Sequence, residues 1–177
     1  QITATNNSIT AAVNGIQIGG RNLILNSSFS NTLNQWSYGS SISTIIGSSL
    51  QMTNNASQTY SRTTQNVFNI EGSTQYTVSI YIKSLTAGAV CGIYLWENNG
   101  ATANYRDNYH SFYTTGWQSF TITTQPDCTY IGVLIELRTA SATVQFKQIK
   151  LEKGNKATDW SPAPEDVDAN IATAQST

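Results

Sequence analysis

The chain is short of charge, of cysteine and histidine, and of long apolar runs, and each shortage narrows what it can do. Charged residues make up 11% of the 177 residues, against about 25% in ordinary soluble domains. Nine Lys and Arg are dispersed among ten acids, for a formal net charge of −1. No basic stripe follows a phosphate backbone, so nucleic acid is not an expected partner. No apolar run reaches the length of a membrane-spanning helix, and Gln1-Ile2-Thr3-Ala4 lacks the basic start and apolar centre of a secretion signal; a membrane is not expected either. A Gln where an initiator Met would stand, and an end at Gln175-Ser176-Thr177 in mid-pattern, read as a segment of a longer protein.

Two cysteines, Cys91 and Cys128, make no disulfide framework. Each falls in an apolar strand pattern and reads as a small buried thiol. The single histidine, His110, gives no zinc spacing with two distant cysteines, so neither a metal nor any other cofactor is expected. A Ser/His/Asp relay would have to use His110, and no Gly-x-Ser-x-Gly elbow accompanies it; it reads as an exposed loop residue. Glycan cleavage would need two facing carboxylates. Glu97 and Glu136, on neighbouring predicted strands, are the pair available for that, and the chain is read as non-enzymatic.

What is present is alternation. From residue 20 to 160, apolar and polar residues alternate between Gly, Asn and Ser clusters, the pattern of an antiparallel sandwich. Strands are predicted near 22–26, 42–46, 49–53, 58–68, 74–83, 90–97, 117–123, 130–138 and 144–152. The longest polar interruption, 98–115, is a candidate binding loop containing Tyr105, Arg106, Asp107 and Tyr109. Residues 1–19 read as a linker or the end of a preceding helix, 20–162 as one β-sandwich, and 163–177 as the start of a helical linker. There, Glu165, Asp166 and Asp168 make the opening acidic, and Val167, Ile171 and Ala174 share a face.

Two motifs bracket the sandwich. Near its start stands Arg21-Asn22-Leu23-Ile24-Leu25-Asn26-Ser27-Ser28-Phe29, with Trp36 beyond. At its end Leu151-Glu152-Lys153-Gly154 leads to Ala157-Thr158-Asp159-Trp160-Ser161-Pro162-Ala163-Pro164-Glu165-Asp166. With Tyr76-Thr77-Val78-Ser79-Ile80-Tyr81-Ile82-Lys83 between them, they resemble the carbohydrate-binding jelly-roll module of tail-tip, baseplate and minor structural proteins in phages of Gram-positive bacteria. The resemblance spans about residues 20–166, and the closing motif is its more specific part. It implies an all-β antiparallel jelly-roll sandwich with short flanking segments, located in the virion at the tail tip or baseplate. The implied partners are host cell-wall or surface polysaccharide, and other tail proteins through the flanks. Related modules hold a structural calcium with an acid after the first Phe and an Asp in the last strand; here Ser30 and Lys147-Gln148 stand there, leaving only backbone carbonyls as donors.

Because strand neighbours face opposite ways, the apolar series can be turned inward. With Ile80 and Ile82, Ile93 and Leu95, and Val133 and Ile135 inside, the residues left outside include Tyr81, Lys83, Tyr94, Trp96, Glu136 and Arg138. If the three strands share a sheet, its outer face offers rings for the C–H face of a sugar and charged groups for its hydroxyls. Gly92 and Gly132 would form a shallow groove floor. Trp36, Trp117 and Trp160 are expected to seal sandwich edges. The same outward rings would equally serve a structural spacer, packed against a neighbouring tail protein.

Overall fold

The alternating segments form strands whose apolar faces are turned on one another. The computed structural model describes residues 19–29, 33–38, 42–100 and 106–175. Among these the strands are β1 (Ser37–Tyr38), β2 (Ile42–Ile45), β3 (Leu50–Thr53), β4 (Ser61–Phe68), β5 (Gln75–Leu85), β6 (Cys91–Asn98), β7 (Arg106–Phe112), β8 (Gly116–Thr123), β9 (Tyr130–Leu137) and β10 (Thr143–Lys153), followed by helix α1 (Pro164–Gln175). They build two five-stranded sheets, in the orders β1-β4-β9-β6-β7 and β2-β3-β10-β5-β8, with every pairing antiparallel. The fold is an all-β sandwich of jelly-roll type with a short C-terminal helix. Its core interleaves Val78, Ile80 and Ile82 of β5 and Phe146 and Leu151 of β10 with Ile93 and Leu95 of β6 and Ile131, Val133 and Ile135 of β9. Full burial of each such side chain stabilises the sandwich by about 1.5–3 kcal/mol. Cys91 and Cys128 are buried free thiols, as read from the sequence, and burial pushes the Cys91 thiol up to about 12.

The two bracketing motifs meet at a bulge in β10. The register of β10 against β5 slips between Lys147 and Lys150, where Gln148 takes a left-handed φ of 55°. The slip leaves the Ile149 carbonyl outside the ladder, as a bulge does. That carbonyl accepts from Asn22 Nδ2 at 3.1 Å and from Trp160 Nε1 at 3.1 Å. Asn22, fully buried, also donates to Ser161 O at 3.0 Å and Ser27 Oγ at 3.0 Å, and its Oδ1 accepts from the Ile24 and Leu151 amides at 3.0 and 3.3 Å. One amide thus ties the opening motif, the last strand and the closing motif together. Residues 22–26, predicted as a strand, instead run as irregular chain and turn alongside β10, with Leu23 N bonded to Leu151 O at 2.9 Å.

The closing segment also covers outward side chains of β10. Lys150 and Glu152 face away from the core yet are 1% and 0% exposed, 3.4 Å apart. Thr158 satisfies both: its N and Oγ1 donate to Glu152 at 2.8 and 2.7 Å, and Lys150 Nζ donates to Thr158 Oγ1 at 2.6 Å and to Asp159 O at 2.9 Å. In α1, Asp166 accepts from the Asn26 amide at 2.8 Å and Glu165 pairs with Arg21. Val167 and Ile171 are exposed on the helix. No helix among the described residues is long and apolar enough to cross a membrane.

Candidate saccharide platform

Cross-strand register places the outward side chains of the β9 sheet in rows. Asn66 of β4, Gly132 of β9, Trp96 of β6 and Asp107 of β7 form one row. Thr64, Leu134, Tyr94 and Tyr109 form the next, and Arg62, Glu136, Gly92 and Ser111 the third. Successive rows lie about 7 Å apart, two residues along a strand. The rings are packed together: Tyr94 and Tyr109 at 4.4 Å between centroids, and Tyr94 and Trp96 at 6.1 Å. Such pairs each contribute about 0.5–1.5 kcal/mol beyond area burial. Arg62 sits over Tyr60 at 5.0 Å and over Trp96 at 6.0 Å, and Arg138 over Tyr109 at 5.0 Å. At the far end Phe68 packs on Tyr130 at 5.3 Å. Phe68 and Tyr60 are 63% and 48% exposed, and rim the face with open apolar surface.

Glu136 is the charged centre of this face. It is 4% exposed and lies between Arg138 at 3.5 Å and Arg62 at 3.7 Å. Both are ion-pair separations at or beyond the limit of hydrogen-bonding distance, and its Oε2 has no hydrogen-bond partner among the described residues. Burial pushes its carboxyl above the ordinary 4.5, and the two guanidinium groups only partly oppose that. Burial also raises the Tyr94 phenol, with Glu136 adding to it.

Of the residues singled out from the sequence, Trp96, Tyr94, Glu136, Arg138, Asp107 and Tyr109 share this face. Three do not belong to it. Tyr81 and Lys83 lie on β5, in the opposite sheet, because the chain crosses between sheets from β5 to β6 instead of turning back as a hairpin. Arg106 stands opposite Glu97 and therefore on the other side of β7 from Asp107. Tyr105 lies outside the described residues. Much of the predicted loop 98–115 is the edge strand β7, and His110 is in it, stacked on Phe120 at 5.1 Å across the open edge of the sandwich.

The glycines do not leave a groove. A Cβ at Gly92 would come within 2.6 Å of Tyr109 Cε2, so the glycine is there to let the Tyr109 ring lie across β6. Gly132 is flanked by Asn66 Oδ1 and Trp96 Cβ, at 3.2 and 3.6 Å from its own hypothetical Cβ. The result is a packed platform with Leu134 fully buried beneath it. Arg62, Asn66 and Tyr60 belong to it and were not singled out, since Ser61–Phe68 carries polar residues on both faces.

The carboxylates Glu97 and Glu136 fall on opposite faces of the sheet. Glu97 points inward, 1% exposed, and is engaged by Asn108 Nδ2 at 2.8 Å and the Gln125 amide at 2.5 Å. Among the described residues no cluster of three or more His, Cys, Asp or Glu is arranged to hold a metal. Trp36 is buried against Phe29 at 5.3 Å, whereas Trp117, expected to seal an edge, is 50% exposed.

No family model matches the chain, and no curated protein matches it. Solved structures share its fold. The enzymatically active domain of tailspike protein 4 of bacteriophage CBA120 aligns with a TM-score of 0.57 at 12% identity, over 75% of this chain and 21% of that one. TmCBM61, solved with β-1,4-galactotriose, aligns with a TM-score of 0.56 at 14% identity, over 76% of this chain and 99% of that one. The CBM22-1 xylan-binding domain of Paenibacillus barcinonensis Xyn10C aligns with a TM-score of 0.52 at 16% identity, over 80% and 99%. The chain thus spans about a fifth of the tailspike domain and nearly the whole of the two binding modules. At these identities the likeness is one of fold.

Proposed function

We propose that the chain is a non-catalytic carbohydrate-binding module of a phage tail tip or baseplate, attaching it to host cell-surface polysaccharide through the platform on β4, β9, β6 and β7. The observation that carries this is the row Asn66, Gly132, Trp96 and Asp107. It sets an amide and a carboxylate on either side of an indole, with the Tyr94–Tyr109 pair in the next row. A pyranose presents its C–H face to the indole and its hydroxyls to the amide and the carboxylate. The fold likeness to modules solved with galactotriose or named for xylan supports the ligand class, and the tailspike likeness together with the bracketing motifs supports the phage setting. Hydrolysis needs two carboxylates about 5–10 Å apart on one face; Glu97 is turned away from Glu136 and consumed by its own hydrogen bonds, and Asp107, on the same face, stands two rows along and two strands across from Glu136.

A shallow platform binds weakly at one site, and several copies on a tail supply the rest of the attachment through effective concentration. Affinity electrophoresis of the domain and its Trp96→Ala variant in gels containing host polysaccharide tests the reading. Retardation of the domain, lost in the variant, is the expected result. Equal retardation of both rules the platform out. The exposed Tyr60 and Phe68 at the rim favour a second reading, a spacer whose platform packs against a neighbouring tail protein; under it Trp96→Ala weakens assembly and leaves polysaccharide binding at background in both proteins.

A further inference from the structure

The opposite sheet carries a cleft that the platform does not use. On its outer face Ser79 pairs with Ser119 and Tyr81 with Trp117 across β5 and β8. The closing segment straps β10 and stops beside β8, enclosing a cleft of 230 Å³ lined by Ser79, Ser119, Trp117, Thr158, Asp159 and Trp160. Two features mark it as built for a ligand. Ser79 is 4% exposed, yet its hydroxyl has no hydrogen-bond partner among the described residues, which is costly unless something in the cleft supplies one. Trp117 is half exposed and held edge-on against Tyr81 at 5.5 Å, with Lys147 Nζ 4.5 Å over the Tyr81 ring. Trp160 is fixed by its bond to the Ile149 carbonyl.

We infer that this cleft is a second binding site, for a single neutral sugar ring. Asp159 is the one charged residue of the lining, which includes no cation, and this disfavours phosphate, sulfate and uronate groups. An apolar ligand would leave the Ser79 hydroxyl unpaired. A polyhydroxylated ring meets both demands, stacking on Trp117 while its hydroxyls reach Ser79 and Asp159. The volume lies below the roughly 300 Å³ at which sites for drug-sized ligands begin, so one ring fits and an oligosaccharide chain does not. With the platform on the other sheet, one domain would then engage two glycan ends at once.

Amide and indole NMR spectra of the domain, titrated separately with glucose, galactose, rhamnose and N-acetylglucosamine to their solubility limits, test the site. The Trp117 indole signal, identified by its absence in Trp117→Phe, and the amides of residues 157–160 are expected to shift saturably with at least one sugar, equally in the wild type and in Trp96→Ala. Ser79→Ala is expected to weaken that response about three- to tenfold, the loss of one hydrogen bond. Silence of these signals with all four sugars overturns the inference, whatever the platform does. So does a response that disappears in Trp96→Ala, or one that Ser79→Ala leaves unchanged.

Discussion

On β10 the outward Lys150 and Glu152 are sealed beneath the closing segment, with their polar atoms consumed by Thr158 and Asp159. On β6 the outward Tyr94 and Trp96 are only half-buried, held by each other, by Tyr109 and by the arginines on either side. Both faces bury charge, and they do so for different ends. The Lys150–Glu152 pair is fully coordinated, so it fixes where the last strand and the closing segment lie. Glu136 is ion-paired with two arginines at 3.5 and 3.7 Å, with one oxygen lacking a hydrogen-bond partner among the described residues. The first arrangement holds the fold, and the second keeps polar capacity within reach of the surface.

Substitutions should separate the two faces. The largest effect is expected at the sealed one: Glu152→Ala leaves Lys150 buried without its counter-charge and should cost about 3–5 kcal/mol. For a chain of this size that lowers the melting temperature by about 10 °C, measurable by calorimetry. Asn22→Leu, which strips the β10 bulge of its ties, should cost about 3 kcal/mol in urea unfolding, through several buried groups left unpaired. At the open face the effects move from stability to binding. Trp96→Ala should weaken polysaccharide binding at least about tenfold, as loss of a central aromatic contact does, while changing unfolding free energy by about 1 kcal/mol. Asn66→Ala should weaken binding about three- to tenfold in isothermal titration and leave the melting temperature unchanged within about 1 °C.

The smallest effect is a pH dependence. A carboxyl whose folded pKa is raised contributes stability that is fully present below its unfolded value and lost as pH rises through the folded value. For Glu136 that window opens upward from 4.5. Glu136→Gln should therefore match or exceed the wild type in melting temperature at neutral pH, and the wild type should gain on the variant as pH falls through the carboxylate range. A gap that widens against the variant as pH rises would mean that the arginines, not burial, dominate at Glu136.

How much of this could be read from residues alone follows from what alternation encodes. It states which face of a strand is apolar, so the inward series of β5, β6 and β9 and the outward Tyr94, Trp96, Glu136 and Arg138 were legible. It is silent on which sheet a strand joins, and so Tyr81 and Lys83 were grouped with partners that lie on the far side of the core. Edge strand β7 was hidden because Asn108 and His110, on its inner side, meet Glu97 and Phe120 at the open edge of the sandwich rather than an apolar core. Arg62 and Asn66 were hidden for a related reason: the inward residues of β4 include Thr63 and Gln65, which are buried through hydrogen bonds to Ser37 and Leu25, so the strand shows little amphipathic contrast. The placement of Tyr109 over Gly92 depends on cross-strand register, which no local pattern records.

The central claim, that the platform of β4, β9, β6 and β7 contacts host polysaccharide, is tested most directly by labelling whole Gram-positive cells with the fluorescently tagged, multimerised domain beside its Trp96→Ala variant. Strain-selective labelling that extracted polysaccharide competes away, and that the folded variant lacks, is the expected result. Labelling by the variant equal to that of the wild type, or no labelling across a broad panel of strains, would contradict it.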